Sequence, residues 1–425
     1  MAELKYDKSG RLLFTKEMKK EYLILSPQML PVHFAFIEQA FISEGFKFEV
    51  LKTTHRNIVD EGLKNVHNDT CYPALLVIGQ MIDAIKSGKY DPDKITLIIT
   101  QTGGGCRASN YIHLLRKALK RAGYSKIPVI SLNLSGLEKN PGFKLNFRFI
   151  KKLIFSLIYG DMLMLLSNQT RPYENVSGST DALVEKWERT IGKVFHDNKE
   201  LTFKRMTSTL REIAIDFEKL DVTRIPKIIV GIVGEIYVKF APLGNNNLED
   251  FLISEGVETV VPGIMDFVIF KTDNRLVDAE LYGGNVLKST AVTFLKNLMC
   301  KYQEDMIKAV KENTSFRAPI RYENLKKLVE GYVGHGNKMG EGWLLTAEML
   351  ELINQGAGNI VCTQPFGCLP NHISGKGMIG LIKRNNPDAN IVAIDFDPGA
   401  TQINQENRIK LMLASAKSSL NPLQE

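Results

Sequence analysis

The chain has 425 residues, of which 44% are hydrophobic and 24% are charged. This length and composition predict two or three domains with sizeable cores and exclude a largely disordered protein. The net charge is +7, from 54 Lys and Arg against 47 Asp and Glu. Even the densest basic stretch, residues 144–152, is interleaved with apolar side chains. A nucleic-acid partner is therefore not expected, because a groove for one needs a longer basic stripe.

Targeting signals are absent from the sequence pattern. Residues 1–20 are polar and charged and contain no apolar segment typical of a secretory signal. The longest apolar run, Leu153 to Leu166, contains Asp161 and is shorter than the roughly 20 residues that a membrane-spanning helix needs. We therefore expect a cytoplasmic protein with no membrane partner. Thiols stay reduced there, so the cysteines are candidates for metal binding or catalysis.

The first half of the chain alternates between apolar strands and amphipathic helices. Residues 1–20 are predicted to be a tail, and residues 21–140 a Rossmann-like domain. The predicted strands lie at residues 22–26, 46–51, 95–100 and 129–132. Helices are predicted at residues 31–44 and 109–122, and after a cap at 68–70. This alternation is typical of an open parallel α/β sheet.

The second half repeats this alternation after a helical segment. Apolar residues recur at helical spacing over residues 141–224, which predicts a helical insertion. A second Rossmann-like domain with its own helical insertion is predicted over 225–415, followed by a tail at 416–425. Its predicted strands lie at residues 228–233, 259–261, 359–362 and 390–396. The predicted fold class is α/β, with two open parallel sheets, helical insertions and a cleft between the domains.

Four of the five cysteines lie where a strand or a loop meets a helix. Cys71 is expected at a helix N-terminus, and Cys106 follows a glycine run. Cys362 is expected to end a strand, and Cys368 lies in the turn after it. Cys300 lies inside an amphipathic helix and is expected to be a small buried hydrophobe. Because open α/β sheets bind ligands outside the carboxyl ends of their strands, we predict that the first four thiols share a metal centre.

The chemistry of these positions favours an iron–sulfur cluster. Thiolate is the metal-binding form of cysteine, and a helix N-terminus favours it. Gly103, Gly104 and Gly105 can bring backbone N–H groups close to such an anion, because no Cβ intervenes. The residues alone leave four alternatives open. These are unrelated buried cysteines, a structural zinc site, a disulfide, or a nucleophilic cysteine with His372 or His113 as its base.

Three further residues are candidate acids or bases. Glu235 follows a predicted strand, and Glu341 lies in the glycine-rich loop 334–342. His372 lies four residues after Cys368. At a cleft, either glutamate could move a proton, and His372 could hydrogen-bond a sulfide or protonate a product. Helix capping or an ordinary surface position is the alternative explanation for all three.

Four segments resemble the 2-hydroxyacyl-CoA dehydratase superfamily. They are NDTCYPALLVIGQ (68–80), QTGGGCRASNYIHLLRKAL (101–119), GNKMGEGWLLTAEMLELI (336–353) and VCTQPFGCLPNHISGKGM (361–378). They are most similar to the carboxy-terminal half of large 2-hydroxyacyl-CoA dehydratase activase-like proteins, also called CoA protein activases. The resemblance extends from about residue 20 to 415, and three of the segments contain the four candidate cysteines. The ATPase segment of those large proteins has no counterpart in this sequence, which contains no phosphate-loop signature.

The resemblance implies two Rossmann-like domains with a cysteine-bound 4Fe–4S cluster in the cleft between them. In the dehydratases, an ATP-driven activase passes a low-potential electron to the cluster. Ketyl-radical chemistry then eliminates water from a 2-hydroxyacyl-CoA. Their clusters are held by three cysteines, which leaves one iron open to substrate. Four cysteine ligands on one cluster would close that position and favour electron transfer instead.

We therefore expect an iron–sulfur protein of an anaerobic dehydratase and activase system that takes part in low-potential electron transfer. One alternative is a catalytic 2-hydroxyacyl-CoA dehydratase-type subunit, which would be a lyase. Another is a non-redox assembly subunit with a structural metal. The expected partners are a separate ATP-dependent activase and an acyl-CoA or other small substrate, with a dimer as a further option.

Overall fold

The structure is a computed structural model that describes residues 3–67, 69–101, 105–133, 138–198 and 200–420. Its contacts divide the chain into two compact units. Unit 1 comprises Met1–Ser156, Ile191–Lys199 and Phe240–Gly244, and unit 2 comprises Leu157–Thr190, Glu200–Lys239 and Asn245–Glu425. Residues of the predicted insertion, 141–224, are thus assigned to both units.

Unit 1 contains a four-stranded, all-parallel sheet with the strand order β2–β1–β3–β4. The strands are β1 (Leu23–Pro27), β2 (Lys47–Leu51), β3 (Ile95–Thr100) and β4 (Val129–Leu132). All four lie within one residue of the predicted strands, because each is a short, mostly buried apolar run. This order reverses direction between β1 and β3, where α/β sheets of this type bind ligands.

Within residues 3–133, as far as the structure describes them, five helices accompany this sheet. They are α1 (Lys16–Glu21), α2 (Pro31–Ser43), α3 (Asn57–Asn65), α4 (Tyr72–Lys86) and α5 (Tyr111–Arg121). Helix α4 is buried on every side, from Pro73 to Ile85. It packs against α3 backbone to backbone, since a Cβ on Gly79 would lie 2.1 Å from the carbonyl oxygen of Ile58. Only glycine fits there, so α3 and α4 have one close-packed arrangement.

The segment predicted as an N-terminal tail is folded from Phe14 onward. Phe14 and Met18 are fully buried. Thr15 caps α1 by accepting a hydrogen bond from the Met18 backbone N–H. The Gly142 backbone N–H also donates to the Phe14 carbonyl at 2.9 Å. Residues 14–20 of the predicted tail therefore pack on the rest of the chain, because two apolar side chains in a charged segment supply a core contact.

Unit 2 contains a second four-stranded, all-parallel sheet, with the strand order β6–β5–β7–β8. The strands are β5 (Ile229–Gly234), β6 (Glu258–Val260), β7 (Asn359–Pro365) and β8 (Asn390–Phe396). Its strands follow one another in the same spatial order as those of the unit 1 sheet. The order reverses direction between β5 and β7. Strand β7 is three residues longer than predicted, so Cys362 lies inside the strand rather than at its end. Both neighbouring strands pair with β7 beyond Cys362.

The remaining helices surround this second sheet or connect the two halves of the chain. They are α6 (Phe147–Asn168), α7 (Ser179–Asp197), α8 (Phe203–Glu218), α9 (Ile236–Phe240), α10 (Pro242–Asn245), α11 (Leu248–Ser254), α12 (Ile264–Tyr282), α13 (Val286–Asn313), α14 (Tyr322–Lys327), α15 (Leu344–Asn354), α16 (Ile379–Asn385) and α17 (Gln402–Leu420). Helix α17 continues to Leu420, past the predicted end of the domain at 415. Over the part of the chain that the structure describes, none of the helices is long and apolar enough to cross a membrane.

The predicted α/β class with two parallel sheets is thus confirmed. Each sheet has the topology of a Rossmann-like domain, with its strands connected by crossover segments that contain helices. In such a sheet all strands end at one edge, so residues that follow neighbouring strands come close together. The predicted site residues lie mainly at these carboxyl edges.

Candidate functional site

All five cysteines lie in described parts of the chain, and each is a reduced thiol. Cys71 and Cys106 belong to unit 1, and Cys362 and Cys368 belong to unit 2. Cys71, Cys106 and Cys368 are partly accessible, whereas Cys362 is buried. Accessibility therefore separates one of the four predicted ligands from the other three.

In unit 1, the loops that carry Cys71 and Cys106 meet at the carboxyl edge of the sheet. Cys71 is the N-cap of α4, which leads into β3 and so begins at that edge. Cys106 follows β3 and caps the short 3₁₀ helix that precedes α5. The guanidinium of Arg107 donates to the carbonyl oxygens of Asp69 and Thr70. This contact links Asp69 and Thr70, just before Cys71, to the residue that follows Cys106.

A tyrosine makes a second connection between the same loops. The hydroxyl of Tyr111, the first residue of α5, donates a hydrogen bond to Sγ of Cys71 at 3.0 Å. A donor directed at sulfur stabilises the ionised thiol, as it does in thiolate ligands of clusters. Gly103 and Gly104, which we predicted to cradle an anion, lie outside the described residues. Gly105 is exposed, directly before Cys106.

In unit 2, Cys368 lies in the turn that follows β7. The side-chain amide of Asn371 donates to Sγ of Cys368 at 3.4 Å and to Oε2 of Glu341 at 3.2 Å. Asn371 is fully buried, and its contact with Glu341 is shielded from water, whereas Cys368 stays partly accessible. The glycine-rich loop 334–342 packs directly on this turn, since a Cβ on Gly340 would lie 3.1 Å from the Pro370 ring. The thiol and the carboxylate are thus held by one amide.

Glu341 also connects the turn to the end of β5. Its Oε1 accepts a hydrogen bond from the Ile236 backbone N–H at 3.1 Å. Glu235, the residue after β5, accepts one from the Val238 backbone N–H at 2.9 Å. Strands β5 and β7 are neighbours where the sheet order reverses. Glu341 therefore lies next to the Cys368 turn, and Glu235 follows β5 at the edge where such sheets bind ligands.

The two glutamates form an electrostatically coupled pair. Burial raises the pKa of Glu235, and the neighbouring charge of Glu341 raises it further, to about 8. Burial likewise raises the pKa of Glu341, while Lys271 and Lys239 oppose that rise. Two carboxyl groups in such a site do not both ionise easily. Near neutral pH the pair therefore holds a proton, as a group that delivers or accepts protons requires.

This pair predicts a pH dependence of stability. The raised pKa of Glu235 means that the folded chain binds more protons than the unfolded chain between about pH 4.5 and 8. The free energy of unfolding should therefore fall as pH rises through that window. Glu235→Gln removes the titrating group and should flatten the fall, with a gain of about 2 kcal/mol at pH 8 relative to pH 5.5.

Urea unfolding of the wild type and of Glu235→Gln at the two pH values measures this difference. The matched control is Glu330→Gln, because Glu330 is exposed in the loop after α14. The control should leave the pH dependence of the unfolding free energy unchanged. Identical pH dependence in the wild type and in Glu235→Gln would contradict the assignment.

His372 lies on the Cys368 turn and supports the turn itself. Its Nε2 accepts a hydrogen bond from the Gly367 backbone N–H at 3.1 Å. Its ring packs edge-on against Phe366, with 6.4 Å between the ring centroids. The His372 backbone N–H donates to the Cys368 carbonyl at 2.9 Å. The contacts of His372 thus brace the loop that presents the thiol.

Cys362 has a different environment from the other predicted ligands. It is fully buried within β7 and belongs to an apolar cluster that includes Val233, Met349 and Ala393. Burial raises the pKa of its thiol to about 12, which keeps it protonated at neutral pH. A Cβ on Gly375 would lie 3.3 Å from its Sγ, so the sulfur is packed against backbone. This environment suits a core thiol better than a metal ligand.

Cys300, predicted to be a buried hydrophobe, is half-buried on α13. Burial raises the pKa of its thiol to about 11. A thiol that stays protonated at neutral pH behaves as a small apolar side chain. Cys300 is therefore a suitable control for experiments on the other cysteines.

Tyr111 and Asn371 are the functional residues that sequence reasoning missed. Asn371 lies three residues after Cys368 in a helical turn, and this i+3 spacing was a local signal for a contact with the sulfur. Tyr111 donates to a cysteine forty residues away, so no local pattern could have revealed it. Each residue donates a hydrogen bond to a cysteine sulfur.

No protein-family model matches the chain, and no curated protein does. Inferences about the site therefore rest on the residues of this chain alone. Over the described residues, no group of three or more His, Cys, Asp or Glu side chains forms a metal site. Unit 1 contains two partly accessible cysteines, Cys71 and Cys106, and Cys300 and Cys368 are partly accessible in unit 2.

Proposed function

We propose that the protein binds a 4Fe–4S cluster through Cys71, Cys106 and Cys368 and takes part in low-potential electron transfer. The observation that carries the proposal is the meeting of the Cys71 and Cys106 loops at the carboxyl edge of a parallel sheet. Cys368 follows a strand of the second sheet, at the corresponding edge. The proposed cluster would lie in a cleft that both units form, as the superfamily resemblance implies.

The surroundings of these thiols fit the ligands of such a cluster. Tyr111 donates to Cys71, and Asn371 donates to Cys368. Such donors favour thiolates and help to set the reduction potential of a cluster. Arg107 brings a positive charge next to Cys106, which offsets the negative charge of a thiolate-bound cluster. When bound, the cluster supplies reversible one-electron transfer, and these side chains keep the sulfurs ionised and oriented.

A three-cysteine set favours a second candidate function, a catalytic dehydratase-type subunit. The burial of Cys362 supports three thiolate ligands rather than four. One iron would then be open to a substrate such as an acyl-CoA. The Glu235 and Glu341 pair beside Cys368 fits this role, because elimination of water needs a group that can give and take protons. In either function, the resemblance implies a separate ATP-dependent activase as electron donor.

Iron and acid-labile sulfide content of protein purified without oxygen tests the proposal. We expect about four of each per chain, before or after anaerobic reconstitution. Dithionite reduction should then give an EPR signal of a reduced cluster. One equivalent of zinc without sulfide would support a structural metal in a non-redox assembly subunit. A reconstituted protein without iron would overturn the proposal.

Addition of an acyl-CoA to the reduced protein separates the two candidate functions. An open iron takes a substrate atom as a ligand, and this changes the EPR spectrum of the cluster. An unchanged spectrum supports electron transfer alone. A changed spectrum supports the catalytic subunit, and turnover with a separately purified ATPase would then identify the reaction.

A further inference from the structure

The tip of the α12–α13 hairpin is apolar and exposed to solvent. The exposed fraction is 76% for Tyr282, 79% for Val286, 81% for Leu287 and 71% for Phe294. The set is completed by two less exposed leucines, Leu281 at 52% and Leu295 at 39%. These six side chains, which we call the hairpin tip, lie on two consecutive helices joined by three residues. Single exposed apolar residues are common, but a contiguous group of this kind marks a binding surface.

Helix α13 is buried at its base and exposed at its tip. Met299, Tyr302 and Met306 are all nearly fully buried, where α13 packs on α8 and α12. Four helical turns closer to the tip, the same helix exposes Val286 and Leu287. The exposed apolar residues of α13 therefore lie beyond the part of the helix that other helices cover.

The tip has the spacing of a helix–helix seam. Leu287, Ala291, Phe294 and Leu298 follow one another at intervals of four, three and four residues. This is the spacing of core positions in helices that pack side by side at a small crossing angle. Ala291 lies in the middle of the seam and is exposed, so another helix can approach closely there. The surface is thus shaped for a helix rather than for a small ligand.

The exposed area matches that of a stable protein interface. The six side chains present on the order of 800 Å² of accessible surface, which is the area that each partner buries in a standard-size interface. The tip also carries exposed charges of opposite sign on its two helices. Glu280 lies near the end of α12, and Lys288 lies in the first turn of α13.

We propose that the hairpin tip is the interface of a homodimer, in which two tips pack about a two-fold axis as a four-helix bundle. A second copy of the chain fits this surface because a two-fold interface must be self-complementary. The tip meets that requirement with an apolar centre and with charges of opposite sign on either side. In the dimer, Glu280 of each copy faces Lys288 of the other. This inference does not depend on the proposed cluster.

Sedimentation equilibrium of the full chain, purified without oxygen, tests the dimer. We expect twice the chain mass of 47.8 kDa at micromolar concentrations. Leu287→Asp combined with Phe294→Asp should weaken the dimer by ~100-fold or more, because both side chains lie at the centre of the interface. The matched control is Ile403→Asp combined with Leu411→Asp. These residues of α17 are 69% and 74% exposed and lie outside the tip, so this variant should remain a dimer.

A charge exchange tests the arrangement within the dimer. Glu280→Lys alone should weaken the dimer, and adding Lys288→Glu should restore it. Circular dichroism melting confirms that each variant is folded. A wild type that is monomeric would overturn the proposal. This holds also for a monomer that binds lipid vesicles through the tip. An unchanged dimer in the Leu287 and Phe294 double variant would also overturn it.

Discussion

Cys71→Ala, Cys106→Ala and Cys368→Ala should each lose most of the bound iron, whereas Cys362→Ala should retain it. The first three thiols are accessible and lie at carboxyl edges of parallel sheets. A cubane with only two protein thiolates is exposed to solvent and loses iron readily. Cys362 is a protonated core thiol, so its removal leaves the proposed ligands in place. It should instead lower the free energy of unfolding by about 1 kcal/mol, through the small cavity that it leaves.

To measure these effects, each of the five single Cys→Ala variants is reconstituted separately, under the same oxygen-free conditions, and its iron and sulfide contents are determined. Cys300→Ala is the control, since Cys300 lies on α13, inside the long hairpin. Loss of iron from Cys362→Ala would show that four cysteines bind the cluster, and electron transfer without an open iron would then be favoured. Retention of iron by Cys106→Ala would contradict the proposed ligand set.

Lys239→Met should lower the free energy of unfolding by about 3 to 5 kcal/mol, because it leaves buried carboxylates without their cation. The Nζ of Lys239 donates to Oε1 of Glu348 at 2.9 Å, and both side chains are almost completely buried. Burial raises the pKa of Glu348, and the ammonium of Lys239 opposes that rise. Burial likewise raises the pKa of Glu351 to about 7, and Lys239 opposes that rise as well. Together with its effect on Glu341, Lys239 therefore compensates three buried acidic groups.

Urea unfolding at pH 8 measures the loss of stability. The double variant Lys239→Met with Glu348→Gln should lose less than Lys239→Met alone, because no uncompensated carboxylate is left at position 348. The loss should also become smaller as pH falls, because burial raises the pKa of Glu348 and protonation removes its uncompensated charge. Lys308→Met is the control, because its ion pair with Glu304 is largely exposed and contributes less than about 1 kcal/mol. If Lys239→Met lowers the free energy of unfolding by no more than Lys308→Met does, this explanation is refuted.

The sheets could be predicted because buried parallel strands are short apolar runs with clear ends. Strands β3 and β8 are such runs, and their predicted bounds are confirmed. The prediction ended β7 too early because Thr363 and Gln364 are polar. Both are fully buried, with Thr363 donating to the Val233 carbonyl and Gln364 donating to Asp395. Contacts that distant residues supply keep these side chains in the strand, and a local pattern cannot reveal them.

The candidate site could be predicted only in part, because the local sequence places its cysteines but does not show which loops come together. Local sequence places Cys71, Cys106 and Cys368 where loops meet helices, and the fold puts these loops at sheet edges. The links between the loops depend on how the crossovers pack. Arg107 reaches the Asp69 carbonyl, and Asn371 reaches Glu341, only because separate loops end at one edge. The burial of Cys362 likewise follows from its strand neighbours rather than from its own segment.

The close contact at Gly79 fixes the height of Cys71 above the sheet. A side chain at position 79 would collide with the Ile58 carbonyl, so α4 cannot slide along α3. Cys71 lies eight residues before Gly79, which corresponds to about 12 Å along the helix axis. Deleting one residue between them would turn the thiol by about 100° around the axis and carry it away from the Tyr111 hydroxyl. The number of residues between Cys71 and Gly79 therefore sets where the thiol lies relative to the Tyr111 hydroxyl.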